Sequence, residues 1–145
     1  MQISTRKQPR VLVVEDDPHS RSFLESSMEL SGLEAVATAS AEEAMKAVER
    51  QGLAGFQAVV SDFRLPGADG IELVRWIRER DEALSTVIIT GQGEKSVVQE
   101  SLAAGVFDYL EKPITHQDLR RQLWKAVERT QRERKFASDR EGLAA

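Results

Sequence analysis

Short apolar runs, each ended by polar or turn-forming residues, constrain the fold of this chain most strongly. The clearest lie at Arg10–Val14, Gln57–Ser61 and Thr86–Ile89, and they are rich in β-branched residues. Continuous apolar runs of this length are typical of strands that are covered on both faces. Such strands occur in parallel sheets whose two faces are packed by helices.

Segments with the spacing of amphipathic helices separate these runs. The predicted strands are Arg10–Val14, Glu34–Ala37, Gln57–Ser61, Thr86–Ile89 and Val106–Leu110. The predicted helices run from Pro18 to Gly32, from Ser40 to about Gln51, from Asp69 or Gly70 through Ile77, from about Val97 to Gly105, and onward from Thr115. Phe23, Leu24, Met28 and Leu30 recur at helical spacing in the first helix. Five strands that alternate with five helices through short turns predict an α/β fold with a parallel sheet.

Composition excludes several classes of protein. A chain of 145 residues is long enough for one domain, and a net charge of -4 disfavours binding to nucleic acid. The absence of cysteine excludes disulfides and thiolate metal sites. We find no apolar run of membrane-spanning length and no signal peptide, so we expect a cytoplasmic location. The histidines, His19 and His116, lack metal-ligand spacing and are interpreted as surface groups.

The end of the chain differs in character from the rest. After Val127 the apolar spacing fades and basic residues dominate, namely Arg129, Arg132, Arg134 and Lys135. We therefore predict a lead at 1–9, one folded domain at 10–129, and a basic segment at 130–145. That segment is interpreted as a helical extension, a linker to a further domain, or a frayed helix end, and the frayed end is favoured.

Polar side chains follow the predicted strands where each strand ends. Glu15 and Asp16 come after the first strand, Asp62 after the third, Thr90 after the fourth and Lys112 after the fifth. Because the carboxyl ends of parallel strands meet at one edge of a sheet, we expect these groups to converge. Three neighbouring carboxylates repel one another, and a divalent cation relieves that repulsion. A few hard oxygen ligands favour Mg²⁺.

The same edge has the groups that an anion needs. Lys112 supplies a positive charge, Thr90 a hydroxyl donor, and Gly91 an accessible backbone N–H. Together with a metal ion they form a cradle for a phosphoryl group beside Asp62, where catalysis is mostly positioning and charge neutralisation. The alternative for Asp62 is an aspartate that only caps the following helix or turn.

The chain resembles a receiver domain of a bacterial two-component response regulator. The similarity covers roughly Arg10 to Arg129. It rests on Val11-Leu12-Val13-Val14-Glu15-Asp16-Asp17-Pro18, Ser61-Asp62-Phe63-Arg64-Leu65-Pro66-Gly67-Ala68-Asp69-Gly70, Ile88-Ile89-Thr90-Gly91, and Ala103-Ala104-Gly105 through Asp108-Tyr109-Leu110-Glu111-Lys112-Pro113. The resemblance implies a flavodoxin-like (βα)₅ fold, a doubly wound parallel sheet with strand order 2-1-3-4-5.

The resemblance also implies a phosphorylation site. Asp62 would accept a phosphoryl group from a sensor histidine kinase or a phosphotransfer protein. Asp16, Asp62 and the backbone carbonyl of Arg64 would bind Mg²⁺, and Glu15 would act through water. Thr90, Lys112 and the backbone N–H groups of Gly91 and Arg64 would hold the phosphoryl oxygens. The protein would be no enzyme for a separate substrate, since it would catalyse only its own phosphotransfer and dephosphorylation.

Further implications concern the switch and the output. Thr90 would move toward the phosphoryl group and Tyr109 would turn inward, which changes the surface of the fourth helix, fifth strand and fifth helix. The alternative for Tyr109 is an aromatic residue at the edge that does not move. The Lys112-Pro113 bond would be cis. The output stays open between a C-terminal effector domain, pairing with a second copy, and docking on a partner. No contact with a membrane or, by this domain, with nucleic acid is expected.

Two residues depart from the commonest pattern of the family. Glu15 stands where Asp is more frequent, and its extra methylene would shift the water-mediated part of the metal site. Arg64 places a long cation at the rim of the site. Our hypothesis is that Arg64 shields the acyl phosphate and slows its hydrolysis, and the alternative is a solvated side chain.

Three other functions compete with this interpretation. A haloacid-dehalogenase-type phosphohydrolase also uses an aspartyl phosphate, but its nucleophile normally follows the first strand. A flavin-binding module shares the fold, but its first loop would cradle phosphate, and the loop at Glu15-Asp16-Asp17 is acidic. A phosphate-independent interaction module would lack site residues that this chain retains.

Overall fold

A computed structural model describes residues 8–144, so residues 1–7 of the predicted N-terminal lead and residue 145 lie outside the described part. The strands are β1 (Arg10–Val14), β2 (Glu34–Thr38), β3 (Ala58–Asp62), β4 (Thr86–Thr90) and β5 (Asp108–Glu111). The helices are α1 (Pro18–Leu30), α2 (Ala41–Gln51), α3 (Gly70–Arg80), α4 (Lys95–Ala104) and α5 (His116–Ala144). None of these helices has the length and apolar character that crossing a bilayer requires.

The five strands form one parallel sheet in the order β2-β1-β3-β4-β5. Val14 pairs with Ser61, Asp62 pairs with Ile89, and Thr90 lies beside Glu111, so the strand ends are in register along one edge. The predicted flavodoxin-like (βα)₅ fold is therefore confirmed. The strand order reverses between β1 and β3, and ligands bind at the carboxyl ends of the strands at this point in such sheets.

Both faces of the sheet are buried, as the apolar runs predict. On β1, Val11 and Val13 contact the cluster that includes residues of α1 and α5. Leu12 and Val14 contact the opposite cluster, which includes residues of α2 and α3. All four β1 side chains are fully buried, because alternate residues of a strand point to opposite faces.

Polar caps fix where the helices begin. The Asp17 carboxylate accepts a hydrogen bond from the backbone N–H of Ser20 at 2.8 Å, and this bond lowers the pKa of Asp17. At α2 the Ser40 hydroxyl accepts from Glu43 N–H at 3.1 Å. In return, the Glu43 carboxylate accepts from Ala39 N–H at 2.8 Å.

Several predicted boundaries are wrong in detail, and helical spacing includes residues that are not buried. β3 and β4 each extend one residue further than predicted, so Asp62 and Thr90 are the last residues of strands. On α1, Leu30 is 78% exposed and Phe23 is 42% exposed, although both have helical spacing. Periodicity alone does not tell which apolar residues lie at the edge of a buried face.

The basic C-terminal segment belongs to α5, a single helix of 29 residues. It is therefore a helical extension and not the frayed end that the sequence favours. Two arginines connect this helix to distant loops. Arg129 donates to the Ser85 hydroxyl at 3.0 Å, and Arg134 donates to the Leu53 carbonyl and the Asp81 carboxylate, each at 3.1 Å. Tertiary contacts thus support the basic part of this helix, which has few apolar residues.

Candidate functional site

The carboxyl edge of the sheet brings together the polar groups that follow the strands. Asp62 ends β3 and Thr90 ends β4, while Glu15 and Lys112 each follow a strand directly. Asp62 is 5% exposed and lies at the centre of this edge. Its position is set by the parallel register of β3 between β1 and β4.

Both carboxylate oxygens of Asp62 have donors. Lys112 Nζ lies 2.8 Å from Oδ2, and the backbone N–H of Arg64 donates to Oδ1 at 3.0 Å. The hydrogen bond to Asp62 raises the pKa of Lys112, against the opposing effect of burial. Asp62 is therefore a buried, oriented carboxylate beside a positive charge. The bond from Arg64 N–H is a turn contact of the kind that the alternative interpretation expects, and the contact with Lys112 is additional to it.

Glu15 is a second buried carboxyl group, with 3% exposure. Burial, followed by hydrogen bonding to Asp62 and repulsion from its charge, raises the pKa of Glu15 to about 8. Two carboxyl groups this close resist ionising together. Asp16, the next residue, is exposed at the same edge.

This crowding of carboxyl groups fits a divalent cation, which would offset their mutual repulsion. The ligands predicted for it are the carboxylates of Asp16 and Asp62 and the backbone carbonyl of Arg64. Within residues 8–144 no three His, Asp or Glu side chains form a ready metal cluster. The predicted ligand set is compatible with that finding, because two carboxylates and one backbone carbonyl complete it.

Thr90 is 1% exposed, and its hydroxyl oxygen has no hydrogen-bond partner among the described residues. A buried hydroxyl without a partner is uncommon and often marks a missing ligand or water. The Thr90 carbonyl accepts from Lys112 N–H at 2.8 Å, so the ends of β4 and β5 are held together. The Lys112-Pro113 bond is cis, as the resemblance implies.

The loop after Asp62 depends on close backbone approach at Gly70. A Cβ there would lie 2.6 Å from the Asp62 carbonyl oxygen and 3.1 Å from Phe63 Cα. The Glu42 carboxylate of α2 also accepts from Ala68 N–H at 3.0 Å, and this bond lowers the pKa of Glu42. The sequence does not predict this role of Glu42, because it depends on a loop residue 26 positions away.

Arg64 and Glu94 form an ion pair at the rim of the site. Arg64 Nε lies 3.2 Å from Glu94 Oε1, and the side chains are 74% and 20% exposed. Glu94, four residues after Thr90, was not predicted as a site residue. Tyr109 is partly buried on β5, next to Ile88 in the register of β4.

A cavity of about 380 Å³ opens beside these groups. Its lining includes Glu15, Asp62 and Lys112 together with apolar residues, among them Phe23 of α1 and Ile114. His19 also borders it, whereas His116 contacts Ser27 of α1 at 2.6 Å through Nδ1. The exposed ring of Phe23 thus belongs to the wall of an open cavity next to the buried carboxylate.

Comparisons with known proteins agree with this architecture. Residues 11–123 match the family described as response regulator receiver domain. The C4-dicarboxylate transport transcriptional regulatory protein DctD of Pseudomonas aeruginosa is 36% identical over 121 residues, which is 83% of this chain and 26% of DctD. The response regulator protein FleR of the same species is 38% identical over 72% of this chain and 21% of its own length.

A solved structure gives the same result in three dimensions. A putative response regulator from Chloroflexus aurantiacus is 31% identical, with a TM-score of 0.78, over 84% of this chain and 99% of that one. The chain spans about a quarter of the length of the curated relatives it matches first, 26% and 22%. On the family match, the shared fold and these identities, the chain belongs to the response regulator receiver domains of two-component signalling systems.

Proposed function

We propose that Asp62 is the phosphoacceptor of this receiver domain. The observation that supports this most directly is the buried Asp62 carboxylate, with Lys112 Nζ at 2.8 Å from one oxygen and Arg64 N–H at 3.0 Å from the other. The unpartnered Thr90 hydroxyl lies at the end of the next strand. A nucleophile, a cation and free donors together suit phosphoryl transfer.

The donor is a phosphohistidine of a sensor histidine kinase or a phosphotransfer protein. An oxygen of Asp62 attacks phosphorus, a P–O bond forms, and the P–N bond to imidazole breaks with its electron pair left on nitrogen. Lys112, the Thr90 hydroxyl and the backbone N–H groups of Gly91 and Arg64 hold the three phosphoryl oxygens. The product is an acyl phosphate on Asp62.

Mg²⁺ is the cofactor that this donor set suits. Asp16, Asp62 and the Arg64 carbonyl would bind it directly, and Glu15 would act through water. When bound, the ion supplies positive charge against the phosphoryl oxygens. The chain's own contribution is the fixed position of Asp62 and the ammonium group of Lys112.

The cavity next to Asp62 suits the approach of the donor. The partly exposed Phe23 ring and Ile114 contribute apolar surface to its lining, which also includes the Asp62 carboxylate. A partner that presents a histidine on an apolar surface could bury these apolar residues while the imidazole faces Asp62. Histidine kinases and phosphotransfer proteins are the partners that we propose, and we propose a cytoplasmic location because phosphotransfer from them takes place there.

The phosphorylated domain would signal through the surface of α4, β5 and α5. Thr90 moves toward the new dianion and Tyr109 turns into the vacated space, as the family resemblance implies. We assign residues 10–129 to the receiver and 130–145 to an extension toward an effector domain. DctD is called a transcriptional regulatory protein, which supports such a domain, and pairing with a second copy is the alternative.

The test is incubation with acetyl phosphate and Mg²⁺, followed by intact mass measurement. We expect wild type to gain one phosphoryl group, Asp62→Asn to gain none, and Asp139→Asn, an exposed aspartate on α5, to behave as wild type. Chelation of Mg²⁺ with EDTA should abolish the gain. Labelling of Asp62→Asn at the wild-type rate would refute the assignment, and steady turnover of a phosphate ester would indicate a phosphohydrolase instead.

A further inference from the structure

The Glu94 carboxylate occupies space that a side chain at residue 91 would fill. Its Oε1 lies 2.6 Å, and its Cδ 3.4 Å, from the position of a Cβ built on Gly91. Only glycine leaves room for this arrangement, since real Cβ atoms do not approach an oxygen so closely. A negative charge therefore lies over the backbone that we assign to phosphoryl binding.

One ion pair holds this carboxylate in place. Oε1 is 3.2 Å from Arg64 Nε, while Oε2 is shielded from solvent and has no hydrogen-bond partner among the described residues. A carboxylate oxygen that is shielded without a donor carries an uncompensated desolvation cost. Glu94 is also one of the acidic groups that raise the pKa of Lys112, after Asp62 and Glu15. The arrangement is thus held weakly and lies close to the reacting groups.

The same residue is the N-cap of α4, yet its side chain does not cap the helix. Glu94 has φ -86° and ψ 64°, and it makes no side-chain hydrogen bond to the first turn. By contrast, the caps of α1, α2 and α3 each accept a bond from a backbone N–H of the first turn. The carboxylate therefore has two competing partners, Arg64 across the site and the free N–H groups of α4.

We propose that Glu94 is a positioning residue for phosphoryl transfer, a resident carboxylate that occupies the anion-binding side of the site until a phosphoryl group replaces it. This inference rests on the proposed function of Asp62. A phosphoryl dianion on Asp62 repels Glu94 and attracts Arg64, so both effects break the ion pair. The released carboxylate then caps the first turn of α4, which couples the charge on Asp62 to the start of this helix.

Two variants take the negative charge away from Gly91, one by neutralising it and one by displacing it. Glu94→Gln keeps the shape and removes the charge. Gly91→Ala keeps the charge and displaces the carboxylate by steric contact, and its backbone is compatible because Gly91 is not among the glycines with positive φ. Glu100→Gln is the matched control, since it removes one charge from an exposed position on the same helix.

The experiment measures the rate at which acetyl phosphate and Mg²⁺ phosphorylate Asp62, followed by intact mass at low and high salt. At low salt we expect Glu94→Gln to react roughly three- to tenfold faster than wild type, because an anion no longer opposes the anionic donor. The difference should shrink at high salt, and Glu100→Gln should match wild type. Gly91→Ala should also be faster, and adding Glu94→Gln to it should give little further gain.

Hydrogen exchange supplies a readout that is independent of the rate. In wild type with beryllium fluoride and Mg²⁺, the amides of 95–98 should become more protected as Glu94 caps α4, and this gain should be smaller in Glu94→Gln. Equal rates for wild type, Glu94→Gln and Glu100→Gln, in a wild type that is phosphorylated, would overturn the inference and leave the proposed function intact. A wild type that gains no phosphoryl group would overturn both.

Discussion

Two buried carboxyl groups and one ammonium group share the end of the sheet, and their protonation decides how the site behaves without a metal ion. Lys112 contacts Asp62 directly at 2.8 Å. Burial, followed by the hydrogen bond and the charge of Asp62, disfavours the ionised form of Glu15, so its pKa rises to about 8. The folded protein therefore holds a proton on Glu15 at pH values where the unfolded chain has lost it.

This difference predicts that metal-free protein loses stability as pH rises. The pKa of Glu15 is about 8 in the folded protein and its ordinary value is 4.5. The stability that comes from the protonated Glu15 is therefore complete below pH 4.5 and is lost progressively up to about pH 8. We expect the free energy of unfolding to fall by up to about 5 kcal/mol over this window. Urea denaturation in EDTA measures it.

Glu15→Gln should flatten this pH dependence, while Glu29→Gln, an exposed change on α1, should keep it. An unchanged slope in Glu15→Gln would show that another group carries the proton.

Arg64 gives a second prediction at the scale of one residue. Its guanidinium group lies at the rim, with 74% exposure of the side chain. If it shields the acyl phosphate from water, Arg64→Ala should hydrolyse the phosphorylated form roughly two- to tenfold faster than wild type. Decay of the phosphorylated mass after removal of the donor measures this, with Arg75→Ala on α3 as the control. An unchanged lifetime would indicate a solvated side chain.

At the scale of elements, α5 shows how contacts between distant segments decide local structure. Arg134 bridges the carbonyl of Leu53 and the carboxylate of Asp81, and Arg129 bridges the carbonyl of Ala83 and the hydroxyl of Ser85. These partners lie in the loops that precede β3 and β4. They hold the part of α5 after Val127, where the apolar periodicity fades.

Loss of the Arg134 hydrogen bonds should destabilise the C-terminal part of α5. We expect Arg134→Ala to speed hydrogen exchange in 131–142 and to lower the free energy of unfolding by about 1 kcal/mol, because two hydrogen-bonded acceptors lose their donor. Arg132→Ala, an exposed change on the same turn, should leave both unchanged. Exchange that is equally fast in both variants would contradict a specific role for Arg134.

The elements also show where sequence-based prediction succeeds. The β-branched runs that end at Glu15 and near Asp62 identified buried strands, and parallel pairing then placed their ends together. The Arg134 and Glu94 contacts could not be predicted in this way, because each depends on a partner that only the folded chain brings near. For Glu94, that partner is Arg64, 30 residues away.

For the whole molecule, the sheet joins two apolar cores to one polar edge. α1 and α5 cover one face and α2 and α3 the other, so the position of Asp62 depends on packing far from it. Leu123 of α5 is fully buried in the first core. The helix that extends past the domain is therefore also a structural part of it.

A substitution at Leu123 should destabilise the entire fold. We expect Leu123→Ala to lower the free energy of unfolding by about 2–4 kcal/mol, because it leaves a cavity in the core. Leu30→Ala, at a position that is 78% exposed, should change it by less than about 0.5 kcal/mol. Chemical denaturation of both variants measures the contrast, and similar losses would mean that α5 packs loosely.

The length of α5 has a mechanical consequence. A helix of 29 residues measures about 43 Å, and its first residue follows Lys112 by only four positions. Arg129 and Arg134 hold this helix along the domain, so only the ten residues after Arg134, about 15 Å of helix, can tilt freely. A tilt of about 5° there would displace the end of the helix by roughly 1 Å, on simple lever geometry.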